Sequence, residues 1–302
     1  MGNSQSLVGV QVAEASLHSD PRPPGKVRVV CISDTHNLHA DLTDPTNPIS
    51  LPEGDILLCA GDISYCGTWN EVCNFVEWFA QQPHAHKVFI AGNHDIGLEH
   101  VERGNFEGIG EKWKKTELSG DDTQNPAEVR SRLQNLIAEK QKQDSKIHYL
   151  EDSGIKVDGV RIWGSPWTPA IILPGYLSLA AKLTVGLPGR MAFNLMSIEE
   201  QRTHWAKIPK DVDIVVTHGP PHGFGDRTRF GSHVGDQVLA EELLQRVRPQ
   251  FHVFGHIHEG HSAVQYDHGA GNGQTIFINA AVCDMSHHKV SQPPIVFDVT
   301  PR

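Results

Sequence analysis

The chain has 302 residues, 38% hydrophobic and 21% charged, with a formal net charge of −10. That length suits one large α/β domain or two modest ones, with a core that needs no disulfide support. The acidic balance argues against a nucleic acid polymer as partner, because backbone phosphates need clustered Lys and Arg.

The chain opens on "MGNSQS", which fits the M-G-x-x-x-[ST] pattern for N-myristoylation, with Gly2 as acceptor and Ser6 downstream. An ordinary polar tail explains the same residues equally well. One acyl chain binds membranes only marginally. Residues 1–25 hold Arg22 as their one Lys or Arg and no cysteine, so attachment through Gly2 would be weak and reversible. These residues lack sustained periodicity and end in "SDPRPPGK". They read as a flexible or loosely docked arm ahead of one domain over residues 26–302. No signal-peptide core and no apolar run of membrane-spanning length is present. The five cysteines are odd in number and form no C-x-x-C. That argues against a disulfide scaffold or a thiolate zinc site and suits a reducing, cytoplasmic compartment. Cys31 and Cys59, within apolar runs, read as small core residues.

The domain begins with "KVRVVCIS", a β-branched run ending at Ser33. Similar runs follow: "DILLCA", "KVFIA", "DIVVT", "FHVF", "TIFINA" and "PIVFDV". Continuous short apolar runs predict strands buried on both faces. Thr68 and Glu71 form a capping box before "WNEVCNFVEWFAQQ", and Ser197 and Glu200 repeat the pattern before "EEQRTHWAK". "DQVLAEELLQRVR" is amphipathic and stops at Pro249. Asp158-Gly159 between alternating segments predicts a hairpin, so part of the sheet is antiparallel. Residues 104–146 are highly charged with a helical second half and read as a surface excursion, not a separate domain. A loop-rich insert follows Trp167. Strands alternating with helices predict an α/β layered domain.

Successive apolar runs end in polar residues of one kind. They give Asp34 and His36 ("SDTHN"), Asp62 ("GD"), Asn93, His94 and Asp95 ("GNHD"), His218 ("THG"), and His256 and His258 ("GHIH"). In open α/β sheets, sites form beyond the carboxyl ends of strands. On extended backbone the i, i+2 pairs Asp34/His36 and His256/His258 would each point to one side. Imidazole, carboxylate and amide oxygen suit borderline divalent ions such as Zn, Mn or Fe. Seven candidates are too many for one tetrahedral ion; two ions sharing a carboxylate would use them all.

The order D-x-H, GD, GNH[D/E], H, GHxH resembles the calcineurin-like metallophosphoesterase superfamily over roughly residues 27–299. "GSPWTP", "THGPPHGFGD" and "FHVFGHIHEG" resemble its metallophosphoesterase-domain-containing subfamily, related to class III cyclic-nucleotide phosphodiesterases. The resemblance implies a four-layer α/β/β/α sandwich with mixed sheets and a two-metal centre at the strand C-terminal ends. It implies that Asp34, His36 and His258 bind one ion and that Asn93, His218 and His256 bind the other. Asp62 would bridge them, and His94 would be the catalytic histidine without being a ligand.

Such a centre supports phosphodiester hydrolysis by a metal-bridging hydroxide, with His94 protonating or stabilising the leaving alkoxide. Cyclic nucleotides enter as substrates by resemblance alone, and any small phosphoester fits the metal chemistry. A phosphomonoesterase or protein phosphatase is the alternative enzyme, and a metal-stabilised scaffold is the alternative of another class. Asp95 reads as a turn residue in preference to an orienter of His94. His222, Phe224 and Arg227, just past the fourth motif, are the candidate substrate contacts. His39 reads as a solvated loop residue, His287 and His288 as ordinary loop residues, and Trp163 and Trp167 as packing residues.

Overall fold

Each continuous apolar run forms a strand. The computed structural model describes residues 10–13, 16–99, 126–143, 146–170 and 191–302. In chain order the strands are β1 (Val10–Gln11), β2 (Val27–Ile32), β3 (Ile56–Cys59), β4 (His86–Phe89), β5 (Ile147–Tyr149), β6 (Ser153–Val157) and β7 (Val160–Ser165). They continue as β8 (Thr168–Pro169), β9 (Asn194–Leu195), β10 (Ile214–Thr217), β11 (Phe251–Phe254), β12 (Ser262–Asp267), β13 (Gln274–Asn279) and β14 (Ile295–Val299). The helices are α1 (Trp69–Ala80), α2 (Pro126–Lys142), α3 (Ile198–Trp205) and α4 (Gln237–Glu242).

Two mixed sheets result, ordered β14-β2-β3-β4-β5 and β1-β12-β13-β11-β10-β7-β6. β2 to β5 run parallel, as do β7, β10, β11 and β13, with antiparallel strands at the margins. Alternate residues sort the layers. Val29, Cys31, Ile56, Leu58, Ile214, Val216, Val253 and Ile278 bury between the sheets. Val30, Ile32, Leu57, Cys59 and Phe89 face the other way and bury with Val72, Phe75, Val76 and Phe79 of α1. On the second sheet Val215, Phe254 and Phe277 bury with Trp205, Leu239 and Leu243. The fold is the four-layer α/β/β/α sandwich the sequence pointed to.

Local signals act as expected. Thr68 accepts from the Glu71 N–H while Glu71 accepts from the Thr68 N–H at 2.9 Å, a complete capping box on α1. Asp158 and Gly159, at φ 48° and 83°, turn the β6–β7 hairpin. Of the charged stretch 104–146, residues 126–142 form α2, with Val129 and Leu133 buried beside α1. Residues 104–125 and 171–190, the latter within the insert after Trp167, lie outside the described residues, as does Gly2.

Of the arm, the described residues 10–13 and 16–25 lie docked on the domain. β1 pairs antiparallel with β12, and the Val12 N–H donates to the Ala263 carbonyl at 2.9 Å. Leu17 buries in the inter-sheet core. Arg28 ties the following residues down by donating to Asp20 at 2.7 Å and Asp298 at 2.9 Å. One large apolar side chain and a shared ion pair hold a segment whose polar composition conceals them.

Register brings the site together. Ile32, Cys59 and Phe89 stand abreast at the ends of β2, β3 and β4. Val216 and Val253 stand abreast near the ends of β10 and β11. A bridge between Ser33 and Ala281 joins the two sheets at this same end.

Candidate metal centre

Beyond the strand ends the chain enters an unusual conformation. Asp34, His36, Asp62 and His256 take φ of 55°, 41°, 50° and 67°. Non-glycine residues rarely adopt this left-handed region, and each one costs on the order of 1 kcal/mol. The extended backbone assumed for the i, i+2 pairs is therefore absent. Asp34 and His36 still converge, because two left-handed residues fold the loop back. His256 and His258 do not act as a pair: a 3₁₀ turn starts at His258, and the two side chains join different groups.

The first group is Asp34, His36 and His258. The Nε2 atoms of His36 and His258 stand 3.3 Å apart, and His258 Nε2 lies 3.3 Å from Asp34 Oδ1. The second group is Asp62, His218 and His256. His218 Nε2 lies 3.2 Å from Asp62 Oδ2 and 2.8 Å from Asn93 Oδ1. Asp62 Oδ2 is also 3.8 Å from His36 Nε2, so this carboxylate sits between the groups. The structure thus brings together all seven residues singled out as candidate ligands.

The imidazoles are preset. Nδ1 faces a backbone carbonyl in His36 (Ser64, 3.3 Å), His218 (Ala60, 3.0 Å) and His258 (Asp284, 2.8 Å). A carbonyl only accepts, so Nδ1 donates to it and Nε2 is the nitrogen turned toward the cluster, where losing its own proton would free a lone pair for a metal. Gly255 and Gly92 allow close approach. A Cβ on Gly255 would strike the Asp34 carboxylate and Ser33 Oγ, and one on Gly92 would strike Asp62.

Electrostatics fit cations. Burial opposes ionisation of Asp34, yet the hydrogen bond from His258 holds its carboxyl below the ordinary range. Burial opposes ionisation of Asp62 too, and His218 outweighs it. Burial alone would lower His218, but Asp62 pushes it up to about 9; His258 is pushed to about 9 against burial by Asp34. Burial presses His36 down to about 3 and His256 down to about 4. Each buried carboxylate therefore demands a positive neighbour, and a protonated imidazole supplies it. A divalent ion would provide that charge and release the proton. Oxygen and imidazole donors around two centres suit borderline divalent metals.

The sequence signature of the calcineurin-like phosphoesterase family matches residues 27–260. The chain belongs to this family. Metallophosphoesterase domain-containing protein 1 of Homo sapiens is 36% identical over 300 residues, covering 97% of this chain and 77% of its own length. UPF0046 protein C25E10.12 of Caenorhabditis elegans is 34% identical over 281 residues, covering 91% of this chain and 81% of its own. One solved crystal structure superposes with a TM-score of 0.52 at 13% identity, covering 89% of this chain and 99% of its own, a likeness of fold alone. Family membership makes this a metallophosphoesterase, a metal-binding hydrolase of phosphoesters in general terms.

Other predicted residues fall in and out of the site. The His94 N–H donates to Asp62 Oδ1 at 2.8 Å, and its Nδ1 donates to the Tyr65 carbonyl at 2.9 Å. Asp95 does not touch the His94 ring. It accepts from Gly92, Ile63 and Ser64 and clasps two loops together, in keeping with its reading as a turn residue. Phe224 is not a substrate contact: it is 1% exposed and stacks on Phe277 at 3.9 Å. The apolar ring was captured by the helix-covered face of the sheet. His222 faces Asp226 at 3.5 Å, beside His233, and the Arg227 guanidinium lies over Gly231. Both make these contacts within their own loop. His39 is buried against Phe75 and Trp78 instead of solvated. Trp163 and Trp167 are buried in the core. His252 and His261 bond to Thr217 and the Pro293 carbonyl, away from the cluster.

His287 overturns its reading as an ordinary loop residue. Its ring stacks on His36 at 4.1 Å and meets His94 at 5.5 Å. Tyr65, not singled out from the sequence, lies 5.8 Å from both His94 and His287. Position offered one signal for Tyr65, three residues past Asp62; His287 sits eight residues past β13 with no motif around it.

Proposed function

We propose that the protein is a dinuclear metal-dependent phosphodiesterase. In this reading Asp34, His36 and His258 hold one divalent ion, and Asn93, His218 and His256 hold the other. Asp62 serves both, and the metals are Mn, Fe or Zn. Such ions neutralise charge on phosphoryl oxygens and acidify water. The observation that carries the reading is the pair of three-residue groups with the Asp62 carboxylate between them.

The chain's own residues supply the rest. His94, fixed through Nδ1 on the Tyr65 carbonyl, keeps Nε2 free to hold a proton for the departing alkoxide. Its half-exposed ring leaves room for that group. Among the described residues, the ion pairs and ring contacts of the cluster involve no Lys or Arg side chain. The diester is placed ahead of the monoester on the family resemblance. Cyclic nucleotides follow from the family resemblance as the first diesters to try. Among the described residues no helix is long and apolar enough to cross a membrane. A cytoplasmic protein with weak, reversible attachment through Gly2 is part of the proposal, supported by the "MGNSQS" pattern.

The test pairs metal analysis with rates on bis-p-nitrophenyl phosphate and p-nitrophenyl phosphate, followed by 2′,3′- and 3′,5′-cyclic nucleotides with Mn added. Two transition metals per chain and a faster diester rate are expected. A faster monoester rate would move the assignment to a phosphomonoesterase. Metal-replete protein inert on every phosphoester would leave a scaffold.

A further inference from the structure

Four rings lie at the mouth of the centre: His36, Tyr65, His94 and His287. Their centroids are mutually 4.1 to 6.4 Å apart. His36 belongs to the ligand group and His94 to the proton donor, which leaves Tyr65 and His287 without a role. We infer that Tyr65 and His287 wall a subsite beside His94 that selects phosphoesters whose ester group carries a flat aromatic ring. The inference rests on the phosphoester reading above.

A group protonated by His94 must lie against the His94 ring, so whatever adjoins that ring touches the departing ester group. The rings adjoining it are His36, Tyr65 and His287. Tyr65 is 47% exposed, yet its backbone is pinned on both sides. Its N–H donates to Glu71 Oε1 at 3.2 Å and its carbonyl accepts from His94 Nδ1 at 2.9 Å. An exposed ring on a fixed backbone is prepared for a partner, because little ordering remains to be done on binding. The His287 plane is fixed too, lying 15° from that of His36. Tyr65 stands at 72° to His287, which makes a corner and not a flat wall. A planar ring entering it can meet one neighbour face to face and the other edge-on, the two geometries aromatic pairs prefer.

The triad His36, His94 and His287 has nitrogens close enough to suggest a further ion. Bonding argues otherwise. His36 directs Nδ1 to Ser64 and Nε2 to the first group, and His94 directs Nδ1 to Tyr65. His36 has no imidazole nitrogen left for a third cage, so at most two of the three rings could ligate there, whereas ring faces remain.

Two unhydrolysed phosphonates test the idea on the metal-loaded full chain: phenylphosphonate and methylphosphonate, measured by calorimetry at an alkaline pH where both carry the same charge, with metal content checked for every variant. Phenylphosphonate is expected to bind about tenfold tighter. Tyr65→Ala and His287→Ala should each cut that preference to about threefold or less. Methylphosphonate affinity should stay within about twofold in both variants. Tyr65→Phe, which keeps the ring, should keep the preference. Equal affinity for the two probes in the parent chain overturns the subsite. Variants that weaken both probes alike also overturn it, since the residues would then serve the phosphoryl group or the ions. If methylphosphonate fails to bind a chain holding two metals, the phosphoester reading itself falls, and the subsite with it.

Discussion

His94 differs from its neighbours in what its ring faces. His36, His218 and His258 each turn Nε2 toward a carboxylate or another imidazole of the cluster. His94 reaches Asp62 only through its backbone N–H, and its Nε2 is uncommitted. His94→Ala should therefore lower turnover about 10²- to 10⁴-fold, the range of general acid catalysis, while both ions stay bound. Steady-state rates beside elemental analysis decide it, and loss of metal with turnover per bound ion preserved would make His94 a ligand. The cluster was legible in the sequence because each candidate ligand follows an apolar run by a few residues. Tyr65 and His287 were not legible, because their role comes from which loops meet across the sheet ends. Phe224 misled for the opposite reason: proximity to His218 in the chain says nothing about which face of a loop a ring takes.

At the scale of elements, strands buried on both faces announced themselves as continuous apolar runs. β12 did not: of its residues only Ala263 is buried, so "SAVQYD" reads as polar loop until its partner β13 is known. The turns after the strands were legible as glycines but not as left-handed ligands. Gly255 shows what that glycine does. Its backbone is not in the positive-φ region, so alanine meets no dihedral penalty there; the obstacle is the Asp34 carboxylate. Gly255→Ala should leave the secondary structure intact by circular dichroism and weaken metal retention by about tenfold or more, as changes just outside a ligand set do. Undiminished retention after dialysis would show that Asp34 can move aside without cost. The arm carries a separate prediction. Leu17 fills space between the sheets, so Leu17→Ala should cost about 2 kcal/mol or more of unfolding free energy, read by urea denaturation. A change below about 0.5 kcal/mol would mean that the arm lies on the domain without sealing its core.

The whole molecule couples its stability to its ions through protons. In the metal-free protein His218 and His258 titrate near 9, raised by Asp62 and Asp34 against the effect of burial. In the unfolded chain a histidine titrates near 6.5. A raised folded pKa means the folded state holds the proton more tightly. Its contribution is complete below about pH 6.5 and is lost as pH rises through about 9, at up to about 1.4 kcal/mol per pH unit for each imidazole. With ions bound, the metals take the place of those protons, and this loss disappears. Histidines remote from the ions, such as His252, pressed down to about 3 by burial, titrate alike in both forms and cancel in the comparison. The gap in Tm between metal-loaded and metal-free protein should therefore widen steadily from pH 6.5 to 8.5. Thermal unfolding with Mn against chelator at several pH values measures it. A gap that stays constant or narrows would mean that the buried carboxylates keep their protonated imidazoles when metal is present, and that the ions, if they bind at all, bind somewhere else.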